Sequence, residues 1–271
     1  MEHIEGRHAV LAALQARQRR IRVILLRHGI HASEVSDILQ IAQSNNIPIR
    51  YVEQRELNAL AHGVTHGGIV AIAGPKAQPT LLELLRDLPH LEQAPLLLLL
   101  EGIDDARNLG FVLRTAEACG AAAVLVKKHL KSLDPVEIGR PSSGAYERIP
   151  MIAVATVDEL LHVKRAGIRL IGCLSGVKRS IWQTDLTPGV CLAIGGEKRG
   201  LSSAVRRICD AFATIPTVGG ASSLSLSHAA AIVLAEALRQ RTLNPNLTAG
   251  VVTAESSDSQ ADPFDREGDS E

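Results

Sequence analysis

Aromatic side chains are scarce in this chain, at 2% of 271 residues, and that scarcity argues against an RNA-binding sheet that stacks bases on exposed Phe and Tyr rings. Long apolar runs are missing too. None approaches the ~20 residues of a membrane-spanning helix, and the opening MEHIEGRHAV carries acids where a secretory signal would be basic and then apolar, so a cytoplasmic protein is expected. Cysteine is sparse and scattered. Cys119, Cys173, Cys191 and Cys209 form no C-x-x-C pair and have no nearby His at ligand spacing, which points to buried thiols, and no metal is expected. The nucleotide and hydrolase fingerprints G-x-G-x-x-G, G-x-x-x-x-G-K-[ST] and G-x-S-x-G are absent. Net charge is lacking as well, but the balance of zero hides an asymmetry. From Asn244 onward one basic residue faces seven acidic ones, while the preceding chain carries 28 basic against 22 acidic, a surplus of +6. A mildly basic body with an acidic tail is compatible with a polyanionic partner.

What the chain does have is apolar content, 46% of its residues, enough to bury one large core or two smaller ones. Two domains are expected. Residues 4–16 space Val10, Leu11 and Leu14 as a helix does. IRVILL (21–26), IPIRYV (47–52) and GIVAIA (68–73) read as strands, with an amphipathic helix at 33–46. Residues 1–75 thus form a small α/β module. Arg17, Arg19, Arg20 and Arg22 cluster near its first turn, either as a solvated face or as a patch that contacts phosphates. Residues 76–95, with Pro79, Pro89 and Pro95 around one short helical stretch, read as a linker. From LLLLL (96–100), a run suited to a strand covered on both faces, a second α/β pattern extends to 243. EGIDDARNLG follows that strand, and FVLRTAEACG reads as a helix with Gly120 past its end. Further strands are read at 121–126, 169–174, 190–195 and 212–215, with helices at 155–164, 202–209 and about 227–241. The polar, acidic segment 244–271 reads as disordered.

The stretch Cys191–His228 organises the second pattern. Two apolar runs in it each end in a Gly-rich or Ser-rich loop that leads to a helix. Gly195, Gly196 and Gly200 let main-chain groups approach a ligand closely. Glu197 lies inside the first loop, and Ser222, Ser223, Ser225 and Ser227 crowd the second. Taken singly, each loop is equally a turn with cap residues.

Four segments, DDARNLGFVLRTAEACGA (104–121), SSGAYERIP (142–150), LAIGGEKRGL (192–201) and IPTVGGASSLSLSHAAAIVLAEA (215–237), resemble in order and spacing the motifs of the SpoU (TrmH-type) RNA ribose 2′-O-methyltransferases of the SPOUT class. The resemblance covers roughly residues 96–241. Residues 1–75 resemble the ribosomal-protein-like RNA-binding domain that precedes the catalytic domain in many members.

The resemblance implies a fold that pattern reading did not supply, a SPOUT-type parallel sheet with a C-terminal trefoil knot. It also implies S-adenosyl-L-methionine as cofactor, a structured rRNA or tRNA as substrate, and a homodimer. By the same likeness Asn108, Arg114, Glu197, Ser223 and Ser225 are the expected catalytic residues. Asn108 would hold the site's geometry, and Arg114 would polarise the ribose hydroxyl or hold an adjacent phosphate. Gly195, Gly196, Glu197, Gly200, Ile215, Pro216, Ser223 and Leu224 are expected around the cofactor, and Arg7, Arg17, Arg19, Arg20 and Arg107 on the RNA. Three positions depart from the family pattern. Ser225 stands where Asn is usual, offering one short hydroxyl in place of an amide. Ala106 stands where Pro is common, and His66-Gly67-Gly68 where His-Gln-Gly is common. The Ser225 departure fits a second reading, an RNA-binding assembly protein of the same fold that has lost methyl transfer.

Overall fold

The computed structural model describes residues 1–62, 66–91, 93–127, 133–219 and 224–243. Ser222, Ser223 and the acidic tail lie outside the described residues.

The first module contains β1 (Glu2–Glu5), α1 (Arg7–Ala16), β2 (Ile21–Arg27), α2 (Ala32–Ser44), β3 (Ile49–Val52), α3 (Gln54–Leu60) and β4 (Ile69–Ala73). The strand order is β1-β4-β2-β3, with β2 and β3 parallel and the other pairs antiparallel. Val10, Ala13 and Leu14 of α1 and Val35, Ile38 and Ala42 of α2 bury themselves at helical spacing against Ile24, Leu26, Ile69 and Ala71 of the sheet. The helix expected over 4–16 is thereby corrected. Residues 2–5 pair with β4, and Gly6, at φ 89, breaks the chain before α1 begins. The departure at 66–68 has a structural reading. Buried His66 accepts the Gly68 N–H at Nδ1 (3.1 Å), and its Nε2 bonds Asn58 Oδ1 (2.8 Å).

The segment 76–95 is more than a linker. A capping box between Thr80 and Glu83 starts α4 (Leu81–Asp87), and Leu81, Leu84 and Leu88 join the core of the second sheet.

That second sheet is built from β5 (Leu96–Glu101), α5 (Ala106–Ala118), β6 (Ala123–Lys127), α6 (Pro135–Gly139), α7 (Ala145–Arg148), β7 (Met151–Val154), α8 (Val157–Arg165), β8 (Arg169–Cys173), β9 (Val190–Gly195), α9 (Ser203–Ile208), β10 (Ala211–Ala213) and α10 (Leu226–Thr242). Its six strands are all parallel, in the order β10-β8-β9-β5-β6-β7. The leucine run of β5 is buried on both faces as expected. Leu96, Leu98 and Leu100 pack toward α5 and α10, and Leu97 and Leu99 toward α4 and α8. Helix α5 starts five residues before the FVLRTAEACG stretch. Asp105 caps it by accepting the Asn108 N–H (2.8 Å), which places Asn108 on the first helical turn. It ends at Gly120 (φ 73) in a Schellman pair, Gly120 N to Glu117 O (3.0 Å) and Ala121 N to Ala116 O (2.8 Å).

The two sheets meet along α1, β1, α6 and α7. Gly144 lies so close to α1 that a Cβ there would sit 2.6 Å from Ala12 Cβ. Charges fill this joint. Arg19 bridges Glu2 (2.6 Å) and Glu147 (2.9 Å) with its side chain 1% exposed. Glu5 pairs with Arg140, and His62 stands 3.0 Å from Glu5 and 3.2 Å from Asp134. The Lys76 ammonium donates to the carbonyls of Tyr146 (2.5 Å) and Ile149 (2.8 Å). Arg19 was expected on RNA, and its burial corrects that: the cation is spent on the joint.

Candidate cofactor cleft and active site

Because β8, β9 and β10 run parallel, their following loops emerge on one edge of the sheet, where ligands of such folds gather. There the loops enclose a cleft of about 620 Å³, lined by Cys173–Val177 after β8, Ile194–Glu197 with Arg199 and Gly200 after β9, Thr214–Thr217 after β10, and Leu224, Leu226 and Ala229 at the start of α10. Ile194, Ile215, Leu224 and Leu226 give it apolar walls. The volume suits a nucleoside-sized ligand.

The turn after β9 explains its glycines. Gly196 and Gly200 bridge each other, with Gly200 N donating to Gly196 O at 2.8 Å. A Cβ on Gly195 would fall on the backbone of Gly200 and Leu201, and one on Gly196 would lie 2.5 Å from the Gly102 carbonyl oxygen. Gly200 holds φ 59. Glu197, Lys198 and Arg199 form the exposed tip, and Lys198 Nζ lies 3.9 Å from Asp104 in the loop before α5.

Behind the turn sits a buried charge cluster. Glu101, the last residue of β5, pairs with Lys127, the last of β6, and accepts the Ser202 N–H at 2.7 Å. Burial pushes the Glu101 carboxyl up, but the hydrogen bonds from Lys127 and Ser202 outweigh it and hold the group below the usual carboxylate range. Cys173, on the cleft lining, is pushed by burial up to about 12 and stays a thiol.

The structure thus brings together Gly195, Gly196, Glu197, Gly200, Ile215, Pro216 and Leu224 on one cleft. Ser225 stands between two lining residues as the N-cap of α10. Its Oγ accepts the His228 N–H (3.4 Å) and lies 2.5 Å from His228 Nδ1. Asn108 and Arg114 do not line the cleft. They belong to α5, which packs beside α10. Arg114 is exposed and makes no ion pair with any described residue. Arg107 and Phe111 are also exposed, and at helical spacing they share its face. Of the arginines expected on RNA, Arg17, Arg20 and Arg107 are exposed, whereas Arg7 is tied to Asp37 at 2.6 Å. The loop 174–177 was not anticipated. Its signal is the Ser175–Gly176 pair after an apolar run, with Gly176 at φ 76. Among the described residues no cluster of His, Cys, Asp and Glu is arranged to hold a metal, and no helix is long and apolar enough to cross a membrane.

Comparison with known proteins adds an independent line. Residues 95–235 match the model of the SpoU rRNA Methylase family, and residues 3–79 match that for RNA 2′-O ribose methyltransferase substrate binding. The chain is 37% identical over 243 residues to the 23S rRNA (guanosine-2′-O-)-methyltransferase RlmB of Pseudomonas putida, covering 89% of this chain and 97% of that protein. It is 33% identical to the Vibrio vulnificus protein of the same name, covering 89% and 97%. Among solved structures, the SpoU methyltransferase AviRb from Streptomyces viridochromogenes in complex with the cofactor AdoMet superposes with a TM-score of 0.73 at 25% identity, over 88% of this chain and 89% of that one. An RNA 2′-O ribose methyltransferase superposes with a TM-score of 0.71 at 28% identity, over 88% of each chain.

Proposed function

The chain belongs to the SpoU rRNA methylase family, and on that footing we propose that it transfers a methyl group from S-adenosylmethionine to the ribose 2′-hydroxyl of a guanosine in 23S rRNA. The observation that carries the reading is the convergence of three loops, after β8, β9 and β10, on one cleft that also holds Glu197 and Leu224.

The residues present suit this cofactor. Ile194, Ile215 and Leu224 offer apolar contact to an adenine, and main-chain groups at Gly195 and along Ile215–Thr217 offer hydrogen bonds to it. When bound, the cofactor supplies a sulfonium methyl open to in-line attack. The protein's part is to orient the 2′-hydroxyl and ease the loss of its proton. Arg114, with no described anionic partner, is available to stabilise the developing alkoxide or to hold the neighbouring phosphate as a proton relay. By analogy with an oxyanion-hole donor such help is worth ~2.7–4 kcal/mol. Asn108, on the first turn of α5 where Asp105 accepts its main-chain N–H, is assigned to hold the site's geometry, and Glu197 supplies an acceptor at the tip of the turn.

The same reading includes a C-terminal trefoil knot, which is supported by the start of α10 lining one cleft with the loops of β8 and β9. It divides the chain into a substrate domain at 1–75 and a methyltransferase domain at 96–243, and puts Arg17, Arg20 and Arg107 on the RNA. It includes a homodimer in the cytoplasm. Supporting the dimer, Phe111 on α5 and Trp182 beside α10 are 52% and 48% exposed, an unusual display in a chain so poor in aromatics. Light scattering should return a dimer for the native chain and a monomer for Phe111→Glu.

The test of function is transfer of labelled methyl from S-adenosylmethionine to 23S rRNA transcripts, followed by alkaline hydrolysis. A 2′-O-methyl group blocks cleavage at its own phosphodiester, so label should be recovered in a guanosine-containing dinucleotide. Label on a base, or none, overturns the proposal. The second reading draws on Ser225, and predicts RNA and cofactor binding with no label transferred.

A further inference from the structure

Glu101 does not line the cleft, yet it fastens the turn that does. Its main-chain carbonyl accepts the Gly196 N–H at 2.6 Å, and its carboxylate accepts the Ser202 N–H at 2.7 Å. One residue therefore grips both the start and the end of the 196–202 segment. Lys127 completes the arrangement. Its ammonium pairs with the other carboxylate oxygen and donates to Ser202 Oγ at 3.3 Å, with the Glu101 and Lys127 side chains only 7% and 18% exposed. Position adds to the argument. β5 is one of the two central strands, flanked by β9 and β6, so a clamp at its end references the turn to a deeply buried part of the sheet.

A buried ion pair is by itself weak evidence for stability, since an apolar pair of similar volume often does as well. An apolar pair would, however, leave the Ser202 N–H without an acceptor and release one end of a turn whose glycines already sit in backbone contact with residues 102, 200 and 201. We propose that Glu101, neutralised by Lys127, is a positioning residue that holds the 196–202 turn in the shape that binds the cofactor. The inference rests on the reading of the cleft as the S-adenosylmethionine site. It concerns a residue that acts through the turn and touches no reacting atom.

The experiment compares the full-length native protein with Glu101→Gln, Lys127→Met and Gly196→Val. S-adenosylmethionine affinity is read by calorimetry, and amide exchange of the cofactor-free protein by mass spectrometry. Glu101→Gln should weaken cofactor binding at least ~10-fold and speed exchange across 196–202 while leaving α1 and α2 protected. In turnover, KM for the cofactor should rise by more than kcat falls. Lys127→Met should move both binding and exchange in the same direction by ~3-fold or more. Glu101→Asp, which keeps the charge on a shorter arm, should fall between Gln and native. Native affinity and native exchange in folded Glu101→Gln overturn the proposal, as does a lowered melting temperature with affinity intact. If Glu101→Gln does not fold, native affinity in Lys127→Met overturns it. Gly196→Val separates the two levels. Lost binding there with native binding in Glu101→Gln defeats the clamp alone, and native binding in Gly196→Val defeats the assignment of the cleft and the clamp with it.

Discussion

The joint between the two sheets and the cleft at the ends of β8, β9 and β10 are built from opposite materials. The joint is made of side-chain charge, with Arg19, Glu147, Glu5, Arg140 and Lys76 all buried or partly buried and each matched to a specific partner. The cleft is made of backbone, glycine turns and apolar walls, and the long charged side chains on it, Glu197, Arg199 and Arg206, are exposed. The difference teaches how to weigh a basic residue in such a chain. An arginine already held by two carboxylates has little left for a phosphate, whereas an exposed one without a partner is available. Arg19 and Arg114 are the two extremes.

Breaking the joint should produce the largest effect. Arg19→Ala strands Glu147 in a site 3% exposed and leaves Glu2 without its partner, so unfolding in urea should register a loss of ~3–5 kcal/mol. Below the transition, cofactor affinity should hold within twofold, because the joint and the cleft share no residue. A loss of less than about 1 kcal/mol would mean that the joint is wet and that its charges are surface ones.

Arg114→Ala attacks the other extreme. Stability should stay within ~0.5 kcal/mol, as for an exposed residue with no ion-pair partner among the described residues, while turnover should fall ~100-fold, about 2.7 kcal/mol of transition-state stabilisation. Lys should rescue poorly, since a point charge lacks the planar fork. Native turnover in the Ala variant would remove Arg114 from the mechanism.

Lys76 sharpens the comparison through pH. Burial lowers its pKa to about 8, against the pull of Glu147, while an unfolded lysine titrates near ~10.4. Between those values the unfolded chain holds the extra proton, so this group makes stability rise with pH. Relative to Lys76→Met, the native protein should gain up to about 2 kcal/mol between pH 8 and 9.5, followed by thermal unfolding. A flat difference across that range would place the ammonium in contact with water.

How far these regions could be read from residues alone follows from their materials. The cleft announces itself locally, because glycines and serines directly after apolar runs carry their meaning within ten residues of sequence. The leucine run of β5 was legible for the same reason, since a strand buried on both faces has no polar alternation to conceal. The joint is a long-range object. Arg19 and Glu147 lie 128 residues apart, so a cluster of four arginines read as one patch until the fold removed one of them. Residues 2–5 were illegible as a strand because their pairing depends on β4, some sixty-five residues later. The 174–177 loop escaped because its one serine and one glycine, Ser175 and Gly176, are no more than an ordinary turn carries. Asn108 moved from loop to helix on the strength of one cap, Asp105, a signal present in the sequence but outweighed by the glycine that follows Leu109.

Ser225 offers the smallest and finest test, because it belongs to the cleft by position and to a helix end by bonding. Its hydroxyl already serves the His228 N–H and lies within bonding distance of His228 Nδ1 and Ser227 Oγ. Asn is as good an N-cap as Ser, so Ser225→Asn should leave thermal stability within ~0.5 kcal/mol. Its amide would carry two donors and an acceptor in place of one hydroxyl, and with the acceptor kept on the cap, the NH₂ is what remains for the substrate. Measured on 23S rRNA, turnover should rise, but by less than about fivefold, roughly 1 kcal/mol, because one neutral hydrogen bond is worth no more than that. A large gain would mean that the native chain works with a missing contact. A large loss would mean that the Ser225–His228 pair has taken over the family Asn's part, and that His228, on the rim of the same helix end, belongs among the residues that position the substrate.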